Sequence, residues 1–230
     1  MSFHLIKGSI TSFRNQLVYS RNQILLFFRR LVKEQHQLTS TTGLNRYPEL
    51  FSEVRKLRSI FSQEPSVLSF GCSTGEECFS IKEYFPDAKI LGLDINRSNL
   101  RKAKSKNKYQ DVVFRFSSRE LIAKNGPYDM VFALSVLCRW EDTKNLESCA
   151  SVYPFTKYSE TVRMLCLHLK PGGLLIIYNS NFRFEETDEF RDFEIVTTPS
   201  VLNSGFVHKF DRNNFRVAEE HKHCVYKKKV

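Results

Sequence analysis

A chain of 230 residues with 41% hydrophobic and 13% aromatic content can bury a large core, which excludes a disordered or low-complexity polymer. Its net charge of +10 is uneven, because residues 1–60 hold ten Lys and Arg against three Glu. Six cysteines at positions 72, 78, 138, 149, 166 and 224 form no C-x-x-C pair, which points to reduced thiols in an intracellular, cytoplasmic chain.

Between Ser12 and Lys33 the residues Phe13, Leu17, Ile24, Phe27, Phe28 and Leu31 recur near helical spacing, with Arg14, Arg21, Arg29 and Arg30 interleaved. The run Ile24–Phe28 is too short to cross a bilayer and no small-residue cleavage site follows it, so neither a membrane span nor a secretory signal is expected. The apolar stripe reads as a docking face for the rest of the chain or for a second subunit. Substrate recognition and peripheral membrane contact are the alternatives. A polar, turn-prone linker, Leu38–Gly43, then leads to a helix expected over Tyr47–Phe61. The division is therefore a basic helical extension over residues 1–60, a candidate lid, and a main domain over 61–230.

The stretch Val67–Glu77 carries most of the information. An apolar strand runs into a small-residue turn, Gly71-Cys72-Ser73-Thr74-Gly75, that opens a helix. Gly71 and Gly75 permit positive φ and close ligand approach, and the first helical turn offers outward N–H groups. A second buried strand, Lys89–Ile95, ends in Asp94 at about 20 residues beyond the turn, the spacing at which an acid holds ribose hydroxyls. The glycine pattern is not G-x-G-x-x-G: Ser73 and Glu76 stand where glycine or another small residue is needed, and the Glu76-Glu77 pair would repel a pyrophosphate. Such a pair suits a ligand with positive charge, a sulfonium or an amino group, joined to a sugar. S-adenosylmethionine has all three parts.

Downstream, Cys78, Ile81 and Phe85 share one helix face, and Pro86-Asp87 ends that helix. Ser98 is the expected cap of the next helix, whose Arg101, Lys102, Lys104, Lys106 and Lys108 read as a solvated face without an aromatic platform, so nucleic acid is not an expected partner. Val112–Phe116 reads as a third strand followed by Ser117 and Ser118, Tyr128–Leu137 as a fourth with its exit, and Leu169–Ile177 as a fifth entered through Pro171-Gly172-Gly173.

The run Cys72–Ile81 resembles the C-S-T-G-E-E-x-[YF]-S-[IL] signature of the chemotaxis-receptor methyltransferases, which esterify protein glutamates. The wider pattern over roughly residues 65–180 is similar to class I S-adenosylmethionine-dependent methyltransferases. The resemblance implies an α/β Rossmann-like fold, a mostly parallel twisted sheet with helices on both faces, beside the N-terminal helical extension. It implies S-adenosylmethionine as cofactor, with Gly71, Cys72, Ser73, Gly75 and Glu77 at the methionine end and Asp94 and Ile95 at the ribose. Ser117 falls on the adenine side, and Leu134 and Ser135 border the reacting centre. Ser69 stands where the wider family has a carboxylate, so Glu76 or Glu77 is the expected substitute. A radical mechanism lacks the closely spaced cysteine trio of an iron–sulfur cluster.

The fourth-strand exit reads Leu134-Ser135-Val136-Leu137-Cys138 instead of the N-P-P-Y type that holds a planar nitrogen, which points to a carboxylate or hydroxyl oxygen on a protein or a small metabolite. Arg139 is the nearest cation for positioning a carboxylate, and Trp140 either walls the acceptor pocket or packs. A non-catalytic chain that keeps the cofactor cradle and has lost acceptor chemistry is the competing reading.

Beyond the fifth strand, the acidic and aromatic segment Phe182–Glu194 is a candidate closure over the substrate, and Phe193–Val196, Phe206–Phe210 and the tail read as short strands, with a turn at Asp211–Asn214. His221, His223 and Cys224 have a spacing a metal could use, but without a fourth ligand a tail strand is the simpler account and no metal is expected.

Overall fold

The computed structural model describes residues 35–61 and 63–230, so the arginine-ringed helix expected over residues 12–33 lies outside them. Helix α1 (Pro48–Lys56) starts with proline at its first turn and ends where the Leu57 N–H bonds back to Val54 O at 3.1 Å; the 3₁₀ turn Arg58–Ile60 follows. The helix expected to reach Phe61 is thus one turn shorter. Its buried residues Leu50, Phe51 and Val54 join the same core as Val67, Phe132 and Ile176, so this part of the extension packs on the sheet.

The order that follows is β1 (Ser66–Phe70), α2 (Glu76–Tyr84), β2 (Lys89–Asp94), α3 (Arg97–Lys106), β3 (Val112–Phe116), α4 (Arg119–Asn125) and β4 (Tyr128–Leu134). Then come α5 (Trp140–Thr143), α6 (Phe155–Leu167), β5 (Leu169–Tyr178), β6 (Phe193–Ile195) and β7 (Val225–Lys228). Among the described residues these strands form one seven-stranded sheet in the order β3-β2-β1-β4-β5-β7-β6. The first five are parallel, and β7 runs antiparallel to both β5 and β6.

Alternation along each strand explains why both faces are covered. Leu68, Leu91, Val131, Ala133, Leu175 and Ile177 point into one core, and Val67, Ile90, Met130, Phe132, Leu174 and Ile176 into the other. Helices α1, α2 and α3 supply the second core through Phe51, Ile81 and Ala103, whereas α4 and α6 supply the first through Ile122, Tyr158, Val162 and Leu165. This is the doubly wound, Rossmann-like arrangement that the resemblance implied. The chain leaves β1 on one side for β2 and β3 and then returns to place β4 on the other, so a crevice opens outside the C-terminal ends of β1 and β4.

Local chemistry departs from expectation in three places. Asn96, not Ser98, caps α3: its side-chain oxygen accepts from the N–H groups of Ser98 at 3.0 Å and Asn99 at 3.3 Å. Residues 206–210 form no strand, because Phe210 makes only isolated bridges to Phe182 and Arg216. The segment 182–194 folds as 3₁₀ turns that send Phe182, Phe184 and Phe193 into the core, and none of its residues lines the cavity described below. Hydrophobic burial outcompetes a closing role, since an aromatic side chain gains more from a core than from a polar mouth. No helix among the described residues is long and apolar enough to cross a membrane.

Phe182 is fully buried, with ring contacts to Tyr153, Phe155, Tyr158 and Phe210. Phe182→Ala is expected to cost about 3–5 kcal/mol in chemical denaturation. A loss below about 1 kcal/mol would show that this aromatic cluster does not hold the tail to the domain.

Candidate active site

The bend after β1 is fastened to the end of β2. The N–H groups of Gly71 and Cys72 donate to Leu93 O at 2.8 and 2.9 Å, and the Ser73 N–H donates to Asp94 Oδ2 at 2.8 Å. The other Asp94 oxygen accepts from the Asn96 N–H at 2.6 Å. The carboxylate expected to hold a sugar therefore faces the bend, and the bend spends its own donors on β2 instead of presenting them to a ligand. Ser73 has φ 51°, a left-handed conformation that costs a β-carbon residue about 1–2 kcal/mol.

The two glutamates that open α2 divide. Glu76 turns away, accepting from Thr74 Oγ1 at 2.5 Å and pairing with Lys106 Nζ at 2.6 Å. Glu77 turns inward, and its Oε1 accepts from Ser69 Oγ at 2.6 Å. Ser69 is buried at the point in β1 where the wider family has a carboxylate, so the carboxyl group arrives from the helix and is anchored on the strand. Burial pushes the Glu77 carboxyl up to about 8, against the Ser69 hydrogen bond and the Arg46 charge that lower it.

Around this frame lies a cavity of about 840 Å³. Nine of the ten residues assigned to the cofactor line it: Gly71, Cys72, Ser73, Glu77, Asp94, Ile95, Ser117, Leu134 and Ser135, with Gly75 the exception. Gly75 has φ +94° and a β-carbon there would meet the Phe114 ring at 2.9 Å and Ala103 at 3.1 Å, so its role is close packing of α2 on the sheet. Ser118 also lines the cavity while capping α4 through a bond from the Leu121 N–H at 3.2 Å.

Arg139 does not line the cavity. Its side chain is buried, donating to Gln35 O at 3.2 Å and meeting Asp142 at 3.5 Å, so its charge is spent on structure beside α5. Arg46 is the cation that lines the cavity near Glu77, anchored to Thr41 O at 2.9 Å with its guanidinium 5.2 Å from the Tyr47 ring centroid. Trp140 lines the cavity and meets Phe206 edge-on with centroids 5.1 Å apart.

Two features of the site were legible only in part from the sequence. The segment 35–43, read as an extension and linker, lies along the cavity as a strap. Ser40 Oγ accepts from Asn99 Nδ2 at 3.0 Å, Ser40 O accepts from Ser73 Oγ at 3.3 Å, and His36 bonds Tyr153 Oη at 2.6 Å and Thr161 Oγ1 at 3.0 Å. Its Thr-Ser-Thr-Thr composition signalled only a turn. The second feature is a polar trio at the ends of β4 and β5: Tyr47 Oη and Ser135 Oγ share a 2.6 Å bond, and Asn179 Nδ2 donates to Ser135 Oγ at 2.9 Å and to Tyr47 Oη at 3.3 Å. Ser135 and Asn179 both hold φ 55°, and no local pattern announces a left-handed serine.

The cavity thiols are not nucleophiles at neutral pH. Burial pushes Cys138 up to about 11, and the Cys78 contact with burial pushes Cys72 up.

A family described as a methyltransferase domain matches residues 43–224. Trans-aconitate 2-methyltransferase of Deinococcus radiodurans is 26% identical over 125 residues, which cover 54% of this chain and 42% of that protein. The match thus spans less than half the length of the curated relative. Among solved structures, TehB from Haemophilus influenzae superposes with a TM-score of 0.48 at 14% identity, covering 78% of this chain and 62% of the other. The amino pentose methyltransferase CalS10 of Micromonospora echinaspora, solved with SAM bound, gives 0.41 at 19% identity, covering 56% and 48%.

A raised carboxyl pKa makes stability fall with rising pH. The folded chain keeps the Glu77 proton between the ordinary value of 4.5 and about 8, while the unfolded chain has already lost it. Thermal unfolding from pH 5 to 9 is expected to show the wild type losing ground to Glu77→Gln, which keeps an acceptor for Ser69 and carries no charge. Parallel curves for the two proteins would refute the assignment.

Proposed function

Because the chain belongs to the methyltransferase domain family, we propose that its cavity binds S-adenosylmethionine and that it transfers a methyl group to a carboxylate or hydroxyl oxygen of a protein or small-molecule acceptor. The observation that carries the reading is the pairing of Glu77 and Asp94 across one bend, on the wall of a cavity of about 840 Å³. Such a volume lies within the roughly 300–1,000 Å³ usual for small-ligand sites.

The residues present fit the cofactor. Asp94, whose two oxygens accept the Ser73 and Asn96 N–H groups, stands on the cavity wall where the ribose of the cofactor would lie. Ile95, Phe116 and Ser117 give the adenine side an apolar wall with a hydroxyl, and Glu77 gives the methionine side a carboxyl group that a bound cation would ionise. When bound, S-adenosylmethionine supplies a methyl group already activated as a sulfonium, so the chain's own work is alignment and exclusion of water. The strap and the aromatic pair Trp140 and Phe206 exclude water. Tyr47 and Ser135, backed by the buried Asn179 amide, present hydroxyl groups to an acceptor oxygen, and Arg46 takes the positioning role expected of Arg139.

An acidic acceptor is favoured by Arg46 on the wall and by the fourth-strand exit, which lacks the planar-nitrogen motif. The partial likeness to an enzyme named for trans-aconitate, a small carboxylic acid, agrees with it. The ten-position likeness to the chemotaxis-receptor signature supports a carboxylate on a protein equally well.

Calorimetry with S-adenosylmethionine, S-adenosylhomocysteine and NAD is expected to show micromolar binding of the first two only. Tight NAD binding would overturn the reading. Near pH 7 the sulfonium is expected to displace about one proton from Glu77, read as a dependence of the binding heat on buffer ionisation, and Glu77→Gln is expected to abolish it. Labelled-methyl transfer into cell extract, split into protein and small-molecule fractions, identifies the acceptor; binding without any transfer marks the chain as non-catalytic. With the acceptor in hand, Arg46→Ala is expected to raise its KM by about tenfold or more while leaving kcat nearly unchanged. An unchanged KM would remove Arg46 from acceptor binding.

A further inference from the structure

Glu185, in the 3₁₀ turn Phe184–Glu186 after β5, faces His221 and His223 on the segment that enters β7. Alternate residues of an extended chain share a side, so both imidazoles reach the same carboxylate. His221 Nε2 lies 2.9 and 3.1 Å from the two Glu185 oxygens, and His223 Nδ1 lies 2.7 Å from Oε1. One ligand atom from each of the three residues falls within 4.8 Å of the others. None of the three lines the cavity of the candidate active site.

We propose that Glu185, His221 and His223 form a binding site for a divalent transition metal of the zinc class. Two imidazole nitrogens and one carboxylate oxygen are a ligand set that zinc accepts, with water completing the coordination. Calcium and magnesium prefer oxygen ligands throughout, which sets the class. The expectation of no metal rested on His221, His223 and Cys224 lacking a fourth ligand; Cys224 is buried, Glu185 takes its place from elsewhere in the chain, and the fourth position falls to water.

The surroundings hold these ligands in position. Ser204 Oγ sits 2.9 Å from His221 Nδ1, which fixes the ring and leaves Nε2 toward Glu185. Tyr226 Oη donates to Glu185 Oε2 at 3.0 Å, which fixes the carboxyl group from behind. His223 is 47% exposed at its side chain, so an ion has an approach from solvent. All six cysteines are buried and offer no competing surface thiolate.

The position gives the metal a structural reach. The Ser204 N–H donates to His221 O at 2.7 Å, the Asn179 N–H donates to Ser204 O at 2.8 Å, and the Phe206 N–H donates to Asn179 Oδ1 at 2.8 Å. An ion that clamps His221 to Glu185 thereby stiffens the turn that carries Phe206 and Val207 on the cavity wall.

The test uses the full chain, stripped with chelator and titrated with Zn²⁺ by calorimetry, with Co²⁺ absorption as a second readout. One ion per chain is expected, with a rise in the unfolding temperature. His223→Ala, at an exposed ring, and Glu185→Gln are each expected to weaken Zn²⁺ binding by at least about tenfold and to abolish the visible Co²⁺ bands of a four-coordinate site. Circular dichroism of the metal-free variants checks that they remain folded. A wild-type chain that takes no Zn²⁺, or Zn²⁺ binding unmoved by both substitutions, overturns the proposal. Neither outcome bears on binding of S-adenosylmethionine, which is read separately.

Discussion

The hydrogen bond from the Ser73 N–H to the Asp94 carboxylate joins two parts of the chain that the sheet holds side by side, and the geometry of the cavity follows from it. Parallel pairing of β1 with β2 brings the two strand ends level, with Phe70 opposite Leu93, so the bend after one and the acid after the other meet. Gly71 and Cys72 add two backbone bonds to Leu93 O, which leaves the bend little freedom to follow a ligand. A bond to a charged acceptor contributes about 1.5–3 kcal/mol, enough to offset the left-handed conformation it imposes on Ser73. The bend is thus tied to β2 through three of its own backbone N–H groups.

Within that frame the two glutamates at the start of α2 carry different electrostatic environments although they are neighbours in sequence. Glu76, bonded to Lys106 and Thr74, is held below the usual carboxylate range, because those partners outweigh the burial that would raise it. Glu77, with only a serine hydroxyl and a more distant arginine, is raised. Helical geometry turns adjacent residues by about 100°, so one faces α3 and the other faces the strand end. The first pairs with α3; the second lines the cavity with its carboxyl pKa raised by burial.

The sheet was legible because its strands are apolar runs bounded by turn residues, and Val112–Phe116 reads the same from sequence and from structure. The cradle was legible too, since Gly71 and Asp94 are set by local pattern and a fixed spacing. What escaped depended on contacts distant in sequence. Ser135 was legible at the reacting centre, but its partners Tyr47 and Asn179 come from 88 and 44 residues away. Arg139 was chosen for its place after a strand, but burial beside Gln35 and Asp142 decides its fate, and that partner lies more than 100 residues away. Glu185 escaped for the same reason: an acid in an aromatic stretch carries no sign that two histidines will fold onto it.

The strap bears on proton order through His36. Burial, with the nearby Lys157 and Arg139 charges, lowers this ring to about 3, so it is neutral near pH 7 and owns a single N–H. The Thr161 hydroxyl donates to Lys157 O at 3.1 Å and must therefore accept from Nε2, which leaves Nδ1 to accept from Tyr153. The tautomer is thus assigned from the network, and every arrow in it runs one way, from phenol to imidazole to threonine to the α6 backbone. A second proton on that ring would make Nδ1 a donor and require the Tyr153 hydroxyl to turn round and accept, so this one-way order, which ties the segment along the cavity to α6, belongs to the neutral imidazole.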